Sequence, residues 1–531
     1  MGPPLSFRET SMRRTTVRGT SLWAWLLGMI FSAAGYLILW VLKGLGWFGM
    51  QLLTWAFHHP RTMLGLGLPT AAVLLIGWQW VVGIVGVVLL SGSVWSAADR
   101  ASFDRIVTAW LRDWHQKWWR YRRVWERVMT RCGLVVEVDD ERHFPRLRSV
   151  QTTPYWDRLV IEMQVGQELA DFENATGRLR TAFGGERLVV RELVPPKMIS
   201  VELMRRDPFR YETVPAVEMP ATTAEIDFTA LPIGLDEHLE PLTISMVGGH
   251  TAAAGATGAG KAGVEWNILR SLAPAIADGT VKPVFIDPKA RELRRGLALV
   301  DAGVYGTPTP ELTTRGRRLD DGNQGPQPTG DYAVTEWDTI CLLERIAAEV
   351  HEANMRGAEA GERDFKPSKR TPLRPIFIDE LAPLLAYWSR GGRDRIESAL
   401  GLILTQGRAA GYIVVGLIQE PTKDVFTIRD LFQRRIGLRL PTEDHTDAAL
   451  TDNAVERGAD CSNIPESLPG VCFSFHEKDK KAIRGRLGHV TDDDIDELVE
   501  FVTDMRKVTS INANKADADV EIIKTDVEDA A

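Results

Sequence analysis

Two long apolar runs open the hydrophobic pattern of this chain. Ser21 to Leu42 holds 22 residues without a charge, and Met63 to Trp95 is longer still, interrupted by Gln79. At a helical rise of about 1.5 Å per residue, either run can cross a hydrocarbon layer of about 30 Å. A signal peptide fits poorly, because the first run is too long and a second follows. Arg8, Arg13, Arg14 and Arg18 precede the first run, and a dense basic stretch follows the second. The positive-inside rule then predicts a two-pass hairpin over 21–95 in the cytoplasmic membrane, with both termini in the cytoplasm. Residues 1–20 read as a disordered basic N-terminus.

After the hairpin the pattern turns helical, then alternates. Residues 96–131 place Trp110, Trp114 and Trp118 four apart, which on a helix makes one aromatic stripe beside a basic face. A helix at the lipid headgroups is the preferred account, with DNA contact behind it. Strands are expected at Leu159–Met163, Leu188–Leu193 and Ile199–Met204, with a helix over Glu168–Phe183, giving a small α/β domain over 132–206. Prolines and weak periodicity make 207–241 a linker.

From 242 to 490, apolar strands are expected at 281–285, 375–378, 412–417, 436–440 and 471–475. Helices such as Glu336–Met355 and Arg395–Gln406 lie between them, and Thr307–Asp331 reads as a long loop. Alternation of this kind predicts an α/β fold with a central, mostly parallel sheet. Residues 491–531 predict one amphipathic helix, about Asp493 to Met505, and an acidic tail.

Composition adds little. The net charge of −8 over 531 residues argues against nucleic-acid binding by bulk charge, but it averages a basic N-terminal quarter with an acidic end. Cys132, Cys341, Cys461 and Cys472 show neither close pairs nor metal-ligand spacing, so they read as reduced thiols.

Gly255-Ala256-Thr257-Gly258-Ala259-Gly260-Lys261-Ala262 fits a phosphate-binding loop at every position except the last. Glycines let backbone N–H groups turn inward onto phosphate oxygens, Lys261 adds charge at the β/γ-phosphates, and the following helix adds its positive end. Ala262 stands where Ser or Thr normally holds Mg²⁺, so nucleotide binding is better supported than rapid hydrolysis. About 120 residues on, Pro375-Ile376-Phe377-Ile378 ends in Asp379 and Glu380. Such a pair orients Mg²⁺ with the first acid and aligns the attacking water with the second. Gln419, after the strand 412–417, is placed to sense the γ-phosphate.

Taken together, GATGAGK at 255–261, IDPKARELRRG at 286–296, IFIDELAPLL at 376–385, GRAAGYIVVGLIQEP at 407–421 and RRIGLRL at 434–440 resemble the FtsK/SpoIIIE DNA translocases over about 155–490. Within that family the wording is most similar to the TraB/TraSA-like conjugative transfer proteins of actinobacterial mobile elements. The resemblance implies a RecA-like motor, ATP and Mg²⁺ as cofactors, double-stranded DNA as partner, and a hexameric ring. It assigns phosphates to Gly258, Gly260 and Lys261, metal to Asp379, water to Glu380 and the γ-phosphate to Gln419. Arg408 and Arg435 become candidates for charge donated across an interface. Arg390, Arg393 and Arg395 fall where the family places a pore-facing loop, as DNA-contact candidates. Glu420 departs from the pattern, standing where the family usually has Arg. The expected function is a membrane-anchored DNA pump in conjugation. Its rivals are a type VII-like secretion ATPase and a hydrolysis-impaired nucleotide-binding scaffold.

Overall fold

The structure is a computed structural model, describing residues 78–508 apart from 139, 196, 211–212, 301–329, 362–363 and 476–480. The chain divides into two compact units at about residue 125.

Within the first unit, Trp78–Ala98 is a helix of 21 residues that takes in the end of the second apolar run. Ser21–Leu42, the start of that second run, the basic N-terminus, most of the loop 307–331 and the acidic tail lie outside the described residues. Among the described residues no helix is long and apolar enough to cross a membrane, so the fold lends the two-pass hairpin no support. The tryptophan stripe is helical as expected, with Trp114 and Trp118 ring centroids 6.4 Å apart and the Arg122 guanidinium 4.6 Å above Trp118. Two π-helical stretches, Asp104–Thr108 and Lys117–Arg122, widen its repeat.

The second unit opens within the helix Trp125–Arg131, which leads to a hairpin of β1 (Val136–Val138) and β2 (Glu141–His143). A four-stranded antiparallel sheet follows, formed by β3 (Arg146–Thr152), β4 (Trp156–Glu162), β5 (Arg187–Glu192) and β6 (Met198–Met204) in the order β3-β4-β6-β5. The single helix expected over 168–183 is instead two, Leu169–Asn174 and Thr176–Phe183, broken at Ala175.

The large sheet has the order β11-β10-β12-β13-β9-β14-β15-β16-β7-β8. Its strands are β7 (Leu231–Asp236), β8 (Pro241–Ile244), β9 (Thr251–Ala254), β10 (Val284–Ile286), β11 (Tyr332–Ala333), β12 (Arg374–Ile378), β13 (Tyr412–Ile418), β14 (Arg434–Gly437), β15 (Val471–Ser474) and β16 (Ile483–Leu487). From β11 to β14 all neighbours are parallel, and from β14 to β8 all are antiparallel.

Two expectations are corrected here. The strand at 471–475 joins antiparallel, since the short link from β15 to β16 fits a hairpin and not the long crossover a parallel pair needs. The stretch 207–241 is not only a linker, because β7 and the start of β8 edge the sheet.

Every residue of β12 and of β13 is buried, which is why both read as unbroken apolar runs. Successive side chains feed opposite cores. Ile376, Ile378, Val414 and Ile418 pack with helices α2 (Glu336–Ala360) and α3 (Arg390–Ala410). Phe377, Ile413, Val415 and Leu417 pack with Trp266 and Ile268 of α1 (Ala262–Ser271) and with Ile495, Leu498 and Val502 from the helical run 492–508.

Helix α3 corrects a third expectation. The segment Ser389–Arg395 is no loop, because the Ser389 hydroxyl caps α3 by accepting from Gly392 N at 3.1 Å.

Candidate functional site

The site is built at the carboxyl ends of β9, β13 and β12, three adjacent parallel strands. Between β13 and β14, β9 ends at Ala254 and releases the loop 255–261, whose base is tied by Gly255 N–H to Ile418 O (3.0 Å) and Ala256 N–H to Arg439 O (2.8 Å). Gly258 and Gly260 adopt φ of +75° and +90°, backbone that L side chains rarely accept. A Cβ at Gly260 would also stand 2.7 Å from Gly470 N. The loop then enters α1 at Ala262, so the eight predicted phosphate-contact residues, Gly255 to Ala262, form one strand–turn–helix cradle. Lys261 Nζ lies across it, donating to Gly255 O at 2.8 Å and Ala256 O at 3.2 Å.

Asp379 and Glu380 leave β12, with β13 between them and the loop strand. Glu380 is buried and held from two sides: Oε1 accepts Gln419 N–H at 3.1 Å, and Oε2 accepts from Lys289 Nζ at 3.4 Å. Gln419 in turn accepts from the Thr257 hydroxyl at 3.4 Å, so the end of β13 bridges the acids and the loop. Burial, then the nearby Asp287 carboxylate, pushes Asp379 up to about 6, against the pull of Lys289. For Lys261, burial lowers the pKa while the Glu380 and Asp379 charges oppose it. The donors here are carboxylate and carbonyl oxygens, the hard set that suits Mg²⁺.

Other predicted residues lie elsewhere. Arg435 pairs in register with Ala252, three residues before the loop, and its guanidinium reaches Asp430 at 3.6 Å on the far side of the strand. It takes no part in the cradle of its own chain. Arg408 sits in the last turn of α3, close enough to His250 to help lower that imidazole. Among the three DNA-contact candidates, Arg395 is held bidentately by Glu344 (2.7 Å each) and lies over Trp337. Arg393 donates to Ala386 O at 3.1 Å, and Arg390 is exposed. Glu420 accepts from the Tyr387 hydroxyl at 3.3 Å.

Three further residues stand around the loop, and of these Lys289 alone was signalled by the sequence. Arg439 donates to Thr257 O at 3.0 Å and pairs with Glu466, bracing the outer side of the loop. Lys289 reaches Glu380, and a charged residue just past a strand end was the available signal. The third is Glu265, fully buried one turn into α1.

No protein-family profile matches the chain. Among curated proteins, the DNA translocase FtsK of Halalkalibacterium halodurans is 22% identical over 377 residues, covering 67% of this chain and 43% of that protein. FtsK of Staphylococcus epidermidis is 23% identical over 303 residues (56% and 35%). The chain therefore carries weak homology to FtsK DNA translocases and spans under half the length of these relatives. Among solved structures, the pCW3 conjugation coupling protein TcpA, in a monomer form with ATPgS, superposes with a TM-score of 0.42 at 16% identity, covering 72% of this chain and 98% of that one. The cytoplasmic domain of the Thermomonospora curvata type VII secretion ATPase EccC gives 0.36 at 18% identity (52% and 31%). Superpositions this loose fix neither activity nor partner.

Proposed function

We propose that this chain is a membrane-anchored, ATP-driven translocase of double-stranded DNA, working as a homo-oligomeric ring, a hexamer, in conjugative transfer between cells. The observation that carries the reading is the chain of hydrogen bonds from the Thr257 hydroxyl through Gln419 to Glu380, which links the glycine loop to the acid that follows β12. The weak homology to FtsK supports the DNA cargo.

In this reading the N–H groups of 255–262 and the positive end of α1 take the β- and γ-phosphates, and Lys261 leaves the loop carbonyls to pair with them. Mg²⁺, when bound, neutralises charge developing on the phosphates, with Asp379 as its protein ligand. Glu380, oriented by the Gln419 N–H, aligns and deprotonates the attacking water, while the Gln419 amide hydrogen-bonds the γ-phosphate. Arg435, remote from its own loop, serves the nucleotide of a neighbouring copy. Residues 21–95 are the membrane anchor.

One observation favours a second reading. Ala262 offers no hydroxyl to a cation, as a nucleotide-binding scaffold without turnover would have it. ATP hydrolysis by the full chain, with and without duplex DNA, separates the two. Stimulation by duplex DNA supports the pump. Stimulation by a secreted peptide alone supports a protein-export ATPase, and bound but unhydrolysed ATP supports the scaffold.

A further inference from the structure

Glu265 is the least expected residue of α1. Its side chain is fully buried, and neither carboxylate oxygen has a hydrogen-bond partner. A buried carboxyl without a partner is costly, and Leu or Met would fill the same space without that cost. Burial first, then the Asp379, Glu292 and Asp287 carboxylates, hold it well above the usual carboxylate range. Asp287 is fully buried as well, and its Oδ1 is unpartnered. Glu265 is therefore the carboxyl with both oxygens orphaned, whereas Asp287 keeps one bond, its Oδ2 accepting Leu293 N–H at 3.1 Å.

The position of Glu265 on α1 is informative. It lies three residues after Ala262, so the two share one face of the helix, and helical side chains tilt back toward the N-terminus. The carboxyl is thus carried on the face that lacks the hydroxyl, and leans toward the phosphate loop. We propose that Glu265 stands in for the missing hydroxyl at position 262 and supplies, together with Asp379, the protein oxygens that hold the divalent cation accompanying the nucleotide.

This inference rests on the nucleotide-site reading under Proposed function. Among the described residues no three acidic, His or Cys side chains form a ready metal cage. A nucleotide-bound Mg²⁺ needs none, because phosphate oxygens and water fill most of its six positions and one or two carboxylates complete them.

The test is an equilibrium titration of the full chain with a fluorescent ATP analogue, in EDTA and in Mg²⁺, with Mn²⁺ paramagnetic resonance as a direct readout of the cation. The wild type should bind at least tenfold more tightly with Mg²⁺ than in EDTA. Glu265→Gln should keep the EDTA affinity and lose most of the Mg²⁺ gain, and adding Ala262→Ser to it should restore that gain. Ala262→Ser alone, in a chain that keeps Glu265, should change the gain less than threefold. A full Mg²⁺ gain in Glu265→Gln, or a large extra gain from Ala262→Ser alone, overturns the proposal. If Glu265→Gln does not fold, the Ala262→Ser arm still decides. A wild type that binds no nucleotide under either condition overturns the nucleotide-site reading itself, and this inference falls with it.

Discussion

The Gln419 N–H donates to Glu380 Oε1 at 3.1 Å, tying the end of β13 to the buried acid that follows β12. That bond leaves Glu380 little freedom beside the loop. Glu380→Gln keeps an oxygen for the same bond and removes only the basic carboxylate. ATP hydrolysis should fall on the order of a hundredfold or more, the usual yield of a general base, while nucleotide affinity changes by less than about threefold. Single-turnover hydrolysis beside an affinity measurement checks this.

The two left-handed glycines of the loop should not be equivalent. At Gly258 an added Cβ meets nothing within 4 Å, so Gly258→Ala carries backbone strain alone, about 1–2 kcal/mol. At Gly260 the same Cβ runs into Gly470 N, so Gly260→Ala should cost more, at least about 2 kcal/mol, because two backbones must separate. Urea unfolding of the two variants should rank them in that order.

His250 gives the fold a pH dependence. It is fully buried just before β9, with Nδ1 accepting Val414 N–H at 3.0 Å, and burial followed by nearby Arg408 lowers its pKa to about 4. The unfolded chain takes up this proton near pH 6.5 and the folded chain only near pH 4. Stability from His250 is therefore present above pH 6.5 and lost as pH falls toward 4, by roughly 3 kcal/mol in all. The urea midpoint should drop over that window in the wild type, and drop less in His250→Gln.

The three candidate DNA-contact arginines should separate as well. Arg395 is neutralised by Glu344, whereas Arg390 is exposed at the start of α3. Arg390→Ala should reduce the salt dependence of duplex DNA binding by about one unit of slope, and Arg395→Ala should leave it within error. Filter binding across a salt series reads this out.

The parts of the site legible in the sequence are those fixed by local rules. A glycine loop between an apolar strand and a helix declares itself within a dozen residues, and the apolar strand ending in Asp379-Glu380 gains its meaning from lying about 120 residues after that loop. What stayed hidden depended on contacts distant in sequence. Pro232, Gly234 and Pro241 make β7 and β8 look like linker, yet Pro241 lies on the edge strand β8, and Pro232 and Gly234 flank a register shift in β7. The loop at 389–395 was implied by the family resemblance, although Ser389 as a cap was a legible sign of helix. Glu265 gave no sign at all, since helical periodicity cannot tell a buried acid from a solvated one.

The rim formed by Lys261, Glu380 and Gln419 stands at the centre of this account as a triphosphate site. Titration of the full chain with a fluorescent ATP analogue in Mg²⁺, comparing wild type with Lys261→Ala, tests it most directly. Saturable binding weakened at least tenfold by the substitution, at unchanged thermal stability, is the result expected. Equal affinity in the two proteins would contradict the account.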